Sequence, residues 1–229
     1  MLLKGLQKTT LLDYPEKVAC TVFTGGCNLR CPFCHNASLV NVKDDNEISE
    51  DEFFTFLKKR VNILDGVCIT GGEPLLQKDI TSFIARIKEL GYSVKLDTNG
   101  FYPHKLKELL DLKFIDYVAM DIKNSKEKYS ETCGVEVDIN KIEESIALLL
   151  SSEIDFEFRT TVVRELHTSD DIESIAKWIS SAPKYFLQSF KDSGDILSDG
   201  LSSYTDDEMK AMLDLAKKHI SSTVLRGIS

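Results

Sequence analysis

The chain has 229 residues, 42% of them hydrophobic and 28% charged, with 28 Lys and Arg against 37 Asp and Glu for a formal net charge of −9. That length supports one well-buried domain rather than two generous ones, and the composition is that of an ordinary globular protein and excludes a disordered one. The acidic balance argues against broad electrostatic binding to nucleic acid or to an anionic membrane surface, and no apolar run approaches the length of a membrane span.

At the amino terminus, Met1-Leu2-Leu3-Lys4-Gly5 is too short an apolar run for a secretory signal, so the expected location is cytoplasmic. The alternating, β-branched stretch at 17–23 predicts the first strand, which leads through Thr24-Gly25-Gly26 into Cys27-Asn28-Leu29-Arg30-Cys31-Pro32-Phe33-Cys34. Ser49-Glu50-Asp51-Glu52 is a capping-box pattern that opens a helix over 49–60. A buried strand at 66–70 runs straight into Gly71-Gly72-Glu73-Pro74, and a helix follows at 79–90. The strand at 93–97 ends in Thr98-Asn99-Gly100; Pro103–Asp111 reads as a helix and 115–122 as the next strand. Ile142, Ile146 and Leu149 share one face of a helix at 139–151. A strand at 155–163, a helix opened by Thr168 and running to 180, a strand at 185–190, a helix over 205–219 and a last segment, Thr223–Arg226, complete the chain.

Six strand-then-helix units in succession predict the α/β class, a parallel sheet with helices outside it, in one domain over residues 1–229. Six units fall short of the eight of a closed barrel. Periodicity alone does not separate a partial barrel from an open doubly wound sheet.

The cysteine loop, residues 24–38, carries the strongest chemical signal. Cys27, Cys31 and Cys34 on one short loop can hold three irons of a cubane cluster and leave the fourth open, whereas clusters that only carry electrons use four thiolates. Other readings compete. Cys31 and Cys34 alone match a dithiol redox pair, Cys31 through His35 matches the haem-attachment pattern, and the three cysteines with His35 offer four zinc ligands. Haem attachment requires export, a dithiol pair leaves Cys27 unused, and His35 directly follows Cys34 where zinc spacings leave residues between ligands. Cys20, Cys68 and Cys133 stand alone in sequence and are expected to be small buried side chains in a reducing compartment.

In parallel βα architectures, ligands meet the carboxyl ends of the strands. Gly71, Gly72, Glu73 and Pro74 fall there: two glycines allow a close approach to a ligand, and a carboxylate can accept from an amino group, although a turn with a solvated Glu would read the same. Asp97 and Thr98 end one strand. Asp121 and Lys123 end the next, two residues apart and so on one face, or else as solvent-exposed strand ends. With Phe156, Phe158, Thr160 and Val162 packed outward, Glu157, Arg159 and Thr161 face the inside, either as a ligand wall or as an internal Glu157–Arg159 ion pair. His167 in the following loop and Gln188 late in the sixth strand are further polar candidates.

With Phe33 before the last cysteine, the CxxxCxxC loop resembles that of the radical S-adenosylmethionine superfamily. More narrowly, Asp13-Tyr14-Pro15 through Cys34-His35-Asn36 is similar to the activating enzymes of glycyl radical enzymes, above all the activators of anaerobic ribonucleoside-triphosphate reductase. The resemblance implies a curved, partial (β/α)6 TIM-like barrel. It implies a 4Fe-4S cluster on Cys27, Cys31 and Cys34, with S-adenosylmethionine on its open iron. Phe33 would then meet the adenine, Gly71-Gly72-Glu73-Pro74 the amino group, and Asp121, Lys123, Arg159 and Thr161 the rest of the cofactor, with His167 nearby. Asp97, Thr98, Met120 and Asp121 would surround a monovalent cation. A reduced flavodoxin or ferredoxin would supply the electron, and the resulting 5′-deoxyadenosyl radical would take a hydrogen from a backbone glycine of the partner. The alternatives are a pyruvate formate-lyase-type activase, a small-molecule enzyme of the superfamily such as a 7-carboxy-7-deazaguanine synthase, and a non-catalytic zinc or redox protein.

Overall fold

The computed structural model describes residues 1–41 and 47–228. Strands β1 (Leu3–Thr10), β2 (Ala19–Thr24), β3 (Gly66–Gly71), β4 (Ser93–Thr98), β5 (Tyr117–Asp121), β6 (Asp155–Val162), β7 (Tyr185–Ser189) and β8 (Thr223–Arg226) make one eight-stranded sheet in chain order. β1 pairs antiparallel with β2, and every later neighbour pairs in parallel. Parallel neighbours need a crossover, which helices supply: α1 (Ala37–Val40), α2 (Glu50–Lys58), α3 (Ile80–Glu89), α4 (Pro103–Asp111), α5 (Tyr129–Cys133), α6 (Ile139–Leu150), α7 (Ser169–Trp178) and α8 (Asp206–Lys217). The six βα units from β2 to α8 thus form a partial barrel, with β1 and β8 as its edges.

Strands covered on both sides become continuously apolar, as Val67, Cys68 and Ile69 of β3 and Val118, Ala119 and Met120 of β5 show: all are fully buried. The helices close over them with one apolar stripe each. Phe53 and Phe54 of α2 meet Phe83 of α3, the Phe53 and Phe83 rings stacked at 5.2 Å. Capping boxes start α2 at Ser49 and Glu52, α7 at Thr168 and Asp171, and α8 at Thr205 and Glu208, each such cap stabilising its helix by about 1 kcal/mol. Among the described residues no helix is long and apolar enough to cross a membrane.

β1, β8, α1 and α5 went unpredicted. β1 is an edge strand whose middle is only partly buried, so its apolar alternation is weak. α1 and α5 have 4 and 5 residues, too short for a helical period to register. β5 begins at Tyr117 rather than at 115, because the Asp116 carboxylate turns aside to accept from the Val94 N–H at 2.7 Å and from Lys88.

Between β1 and β2 the exposed Glu16 has φ +62°, a left-handed conformation that costs a side chain about 1–2 kcal/mol. Part of that is offset by the larger unfolded-state entropy of glycine. Glu16→Gly is therefore expected to stabilise the chain by about 1 kcal/mol and raise the melting temperature by roughly 2–4 °C; a melting temperature that falls would show that the Glu16 side chain holds the turn.

Candidate active site

The cysteine loop leaves the carboxyl end of β2 and is tied down by backbone hydrogen bonds. Gly25 N–H donates to the Leu2 carbonyl at 3.0 Å, Gly26 N–H to Leu39 at 2.7 Å, and Cys34 N–H to Cys31 at 3.1 Å. The loop after β3 is stapled onto it: Gly72 N–H donates to the Thr24 carbonyl and Glu73 N–H to the Gly26 carbonyl, each at 2.8 Å. This close approach explains the paired glycines. A Cβ on Gly71, whose φ is +110°, would lie 2.5 Å from Thr24 backbone atoms, and one on Gly72 would lie 2.1 Å from the Gly26 oxygen. The glycines therefore let two loops touch each other, a role beyond the ligand approach expected from sequence.

These loops and the ends of β4 to β7 surround a cavity of about 320 Å³. Cys27, Cys31, Phe33 and Cys34 line one side of it; Gly71, Gly72, Glu73, Asp97, Thr98, Asp121, Lys123, Arg159, Thr161 and Gln188 line the rest. Four candidates, Pro74, Met120, Glu157 and His167, stand behind the wall, so Glu157 does not face the cavity as its place on the strand had suggested. Pro74 begins a buried 3₁₀ turn, Pro74–Leu76. His167 is fully buried: its Nδ1 accepts from the Val163 N–H at 3.1 Å, its Nε2 donates to the Lys123 carbonyl at 2.8 Å, and its ring meets Phe33 edge-on. A loop histidine expected to face the cofactor instead braces Lys123 and Phe33 from outside.

Inside, charge is arranged in a chain. Lys95 pairs with Asp97; Arg159 bridges Asp97 Oδ2 at 3.2 Å and Asp121 Oδ1 at 2.9 Å; Lys123 holds Asp121 Oδ2 at 3.0 Å. Burial alone would raise the carboxyls, but the Arg159 charge, joined by Lys123, holds Asp121 down to about 2, and Arg159 with Lys95 holds Asp97 below the usual range. Burial works against the charge of Lys123 and is outweighed by Asp121, so the ammonium persists well above its ordinary range. The Glu157–Arg159 pair foreseen as an alternative does not form. Glu157 turns instead to Arg226 at 2.8 Å and to the Tyr117 hydroxyl at 2.7 Å.

Glu73 is 1% exposed and accepts three hydrogen bonds, from Leu75 N–H at 3.0 Å and the Thr98 hydroxyl at 2.8 Å on Oε1, and from Asn99 N–H at 2.7 Å on Oε2. Burial pushes its carboxyl up to about 7 against those three bonds, which favour the anion. Glu73→Gln would point an NH₂ at the Leu75 or the Asn99 N–H, whichever way the amide turns. A loss of about 1–3 kcal/mol is expected, read as a lower denaturant midpoint; an unchanged midpoint would mean the loops hold together without this carboxylate.

Sequence reasoning overlooked Lys95, which the two-residue spacing to Asp97 on β4 already puts on the same face. It overlooked Asn99, whose Nδ2 donates to Asn28 Oδ1 at 3.0 Å and approaches Cys27 Sγ at 3.9 Å. Cys133, taken as an isolated core thiol, lies against Cys31. Their side-chain hydrogen bond is the largest influence bringing Cys31 down to about 7, and it sends Cys133 up. Burial pushes Cys27 up to about 11 and raises Cys34 as well.

A partial parallel barrel with three loop cysteines opposite a charged wall defines the class. The family model described as the Radical SAM superfamily matches residues 21–179, and the chain belongs to that superfamily. Over its whole length the chain is 37% identical to a provisionally named glycyl-radical enzyme activating enzyme of Methanocaldococcus jannaschii, covering 97% of that protein, which narrows the class to the activating enzymes. A pyruvate formate-lyase-activating enzyme of Clostridium pasteurianum is 33% identical over 52% of this chain and 51% of its own length. Among solved structures, Streptococcus suis SuiB bound to S-adenosylmethionine shares the fold with a TM-score of 0.70 at 15% identity, over 88% of this chain and 48% of that one. The chain is thus an enzyme, and the non-catalytic zinc or redox alternative is set aside.

Proposed function

We propose that this chain generates the glycyl radical of an anaerobic ribonucleoside-triphosphate reductase, acting in the cytoplasm with residues 1–229 as a single domain. One observation carries the chemistry: three thiols of one loop face the same cavity as a ring of carboxylate, ammonium and guanidinium groups at the ends of β4, β5 and β6. The donor set suits the cofactor pair of the family. A cubane takes soft thiolates on separate irons, and among the described residues no group of His, Cys, Asp and Glu side chains is arranged to hold a single metal ion.

Bound there, the 4Fe-4S cluster and S-adenosylmethionine supply reductive cleavage to methionine and a 5′-deoxyadenosyl radical, on one electron from a reduced flavodoxin or ferredoxin. The protein's part is to hold, orient and keep dry. Cys27, Cys31 and Cys34 are the cluster ligands. Glu73, with three of its roughly four acceptor sites filled by the chain, keeps one for an amino group on the cavity side. Lys123 and Arg159 offer fixed positive charge to a carboxylate, and because Asp97 and Asp121 already hold them in position, little order is lost on binding. Phe33, Thr98 and Thr161 complete the wall, while His167 keeps Lys123 and Phe33 in register. A monovalent cation among Asp97, Thr98, Met120 and Asp121 would share both carboxylates with Arg159, Lys95 and Lys123. The unclosed side of the barrel, between β8 and β1, is the proposed entry for the partner's glycine loop.

The partner assignment draws on the likeness of residues 13–36 to reductase activators. The Clostridium relative supports pyruvate formate-lyase as the second candidate. The deciding experiment mixes the anaerobically reconstituted, reduced chain and S-adenosylmethionine with each purified partner and records electron paramagnetic resonance spectra. A glycyl-radical signal on the reductase is expected. A signal on pyruvate formate-lyase alone would move the assignment there, and 5′-deoxyadenosine formed with no signal on either would point to a small-molecule substrate.

A further inference from the structure

The strand ends that face the cavity carry more positive charge than their own carboxylates need, and one of the cations sits behind the cavity wall. Lys95 lies two residues before Asp97 on β4, so both side chains point to the inside of the barrel. It is 2% exposed and does not line the cavity. Its ammonium pairs with Asp97 Oδ1 and stands 3.8 Å from Sγ of Cys68, its register partner on β3. Lys95 is thus a fixed positive charge behind Asp97, held from two strands.

Likeness to the activating enzymes would set a monovalent cation among Asp97, Thr98, Met120 and Asp121. These residues do not fit that ion. An alkali ion that sheds its water needs a shell of oxygens, and the oxygens here are engaged. Asp97 gives Oδ1 to Lys95 and Oδ2 to Arg159 at 3.2 Å; Asp121 gives Oδ1 to Arg159 at 2.9 Å and Oδ2 to Lys123 at 3.0 Å. The Thr98 hydroxyl donates to Glu73 at 2.8 Å and accepts from the Gly100 N–H at 3.1 Å. The Met120 side chain packs on Gly100, where a Cβ would lie 2.1 Å from Met120 Cε, and it stays outside the cavity lining. Charge gives the same answer. Three cations already face two carboxylates. One incoming carboxylate brings that group to neutrality, whereas a further cation doubles a surplus of buried positive charge, which is costly.

We infer that Lys95 is a built-in counter-ion: its ammonium, with Arg159, takes the place of the monovalent cation, and the chain binds S-adenosylmethionine without sodium or potassium. That role rests on the cavity being the S-adenosylmethionine site. Lys95 acts through Asp97, as a positioning residue. With Asp97 offset from behind, Arg159 keeps charge to spare for a carboxylate on the cavity side. Without the Lys95 charge, Asp97, Asp121, Arg159 and Lys123 become two matched pairs with no surplus left for a ligand. An alkali ion then has a freed oxygen to bind, Asp97 Oδ1, and restores the surplus.

The test measures binding of labelled S-adenosylmethionine by equilibrium dialysis on anaerobically reconstituted protein exchanged free of alkali ions. Parent and Lys95→Ala are compared at one ionic strength in tetramethylammonium, sodium and potassium chloride; tetramethylammonium is too bulky to fill the space the lysine leaves. The parent's Kd is expected to agree within about twofold across the three salts. The Ala variant is expected to bind about ten- to a hundredfold more weakly in tetramethylammonium chloride and to recover most of that loss in sodium or potassium chloride. Lys95→Ser, which adds an oxygen at the same place, replaces the Ala variant if that one yields no folded protein. A parent that needs sodium or potassium to bind, a variant that binds as well as the parent in tetramethylammonium, or a variant equally weak in all three salts would each overturn the proposal. A reconstituted parent that binds no S-adenosylmethionine in any salt would instead overturn the cofactor assignment, and this proposal with it.

Discussion

Asp121→Asn is expected to destabilise the chain by about 3 kcal/mol, a fall in melting temperature of roughly 6–12 °C for a protein of this size. The reason is charge balance. Lys95, Arg159 and Lys123 face Asp97 and Asp121, a surplus of one positive charge that the chain tolerates because every cation touches a carboxylate. Neutralising Asp121 leaves three cations on one carboxylate, and Lys123, whose side chain is 17% exposed, loses its partner. Arg159→Met is the control. It removes the bridging guanidinium but leaves Lys95 on Asp97 and Lys123 on Asp121, two matched pairs, so a smaller loss is expected although the deleted side chain is larger. The reverse order of stabilities would show that packing, not charge, holds these strand ends. The acid limb gives a second check. Asp121 is held down to about 2, against about 4 in an unfolded chain. Its contribution is therefore fully present above pH ~4 and lost as pH falls through ~2, and the Asn variant should show a correspondingly flatter acid limb.

How much of this was legible in the sequence depends on whether partners were close in the chain. The strand ends carrying Asp97 and Thr98, Asp121 and Lys123, and Arg159 and Thr161 could be read because the two-residue period of a strand fixes which side chains share a face, and the parallel register then brings Asp121 opposite Arg159. The cysteine loop was legible from its spacing. Roles that depend on the far side of a contact were not. Nothing near Gly71 and Gly72 says that the Thr24 and Gly26 backbone lies against them. Nothing near His167 says that it reaches the Lys123 carbonyl, and nothing near Cys133 names Cys31. Glu73 is the intermediate case. The motif marks it as polar and pocket-facing, but only the folded chain shows that two of its three accepted bonds hold the end of β4 onto the β3 loop.

Single replacement of Cys27, Cys31 or Cys34 by Ala should abolish cluster uptake and bring S-adenosylmethionine cleavage down to background. A loop that supplies three thiolates to three irons has no spare thiolate: Cys20 and Cys68 are fully buried within β2 and β3 and do not line the cavity, and neither does Cys133. Losing one thiolate exposes a second iron, whose coordination would have to be completed by solvent. The same assay on Cys20→Ala and Cys68→Ala should return iron close to the parent's level, with at most a core-cavity cost in stability. The measurement is iron and sulfide per chain after anaerobic reconstitution, followed by 5′-deoxyadenosine formed under dithionite. A loop variant that kept full iron and cleaved at more than about a hundredth of the parent's rate, a barrier change below about 3 kcal/mol, would remove that thiol from the ligand set. The fourth iron would then no longer be the only open one, and the chemistry assigned to the cavity would have to be rebuilt from a different ligand set.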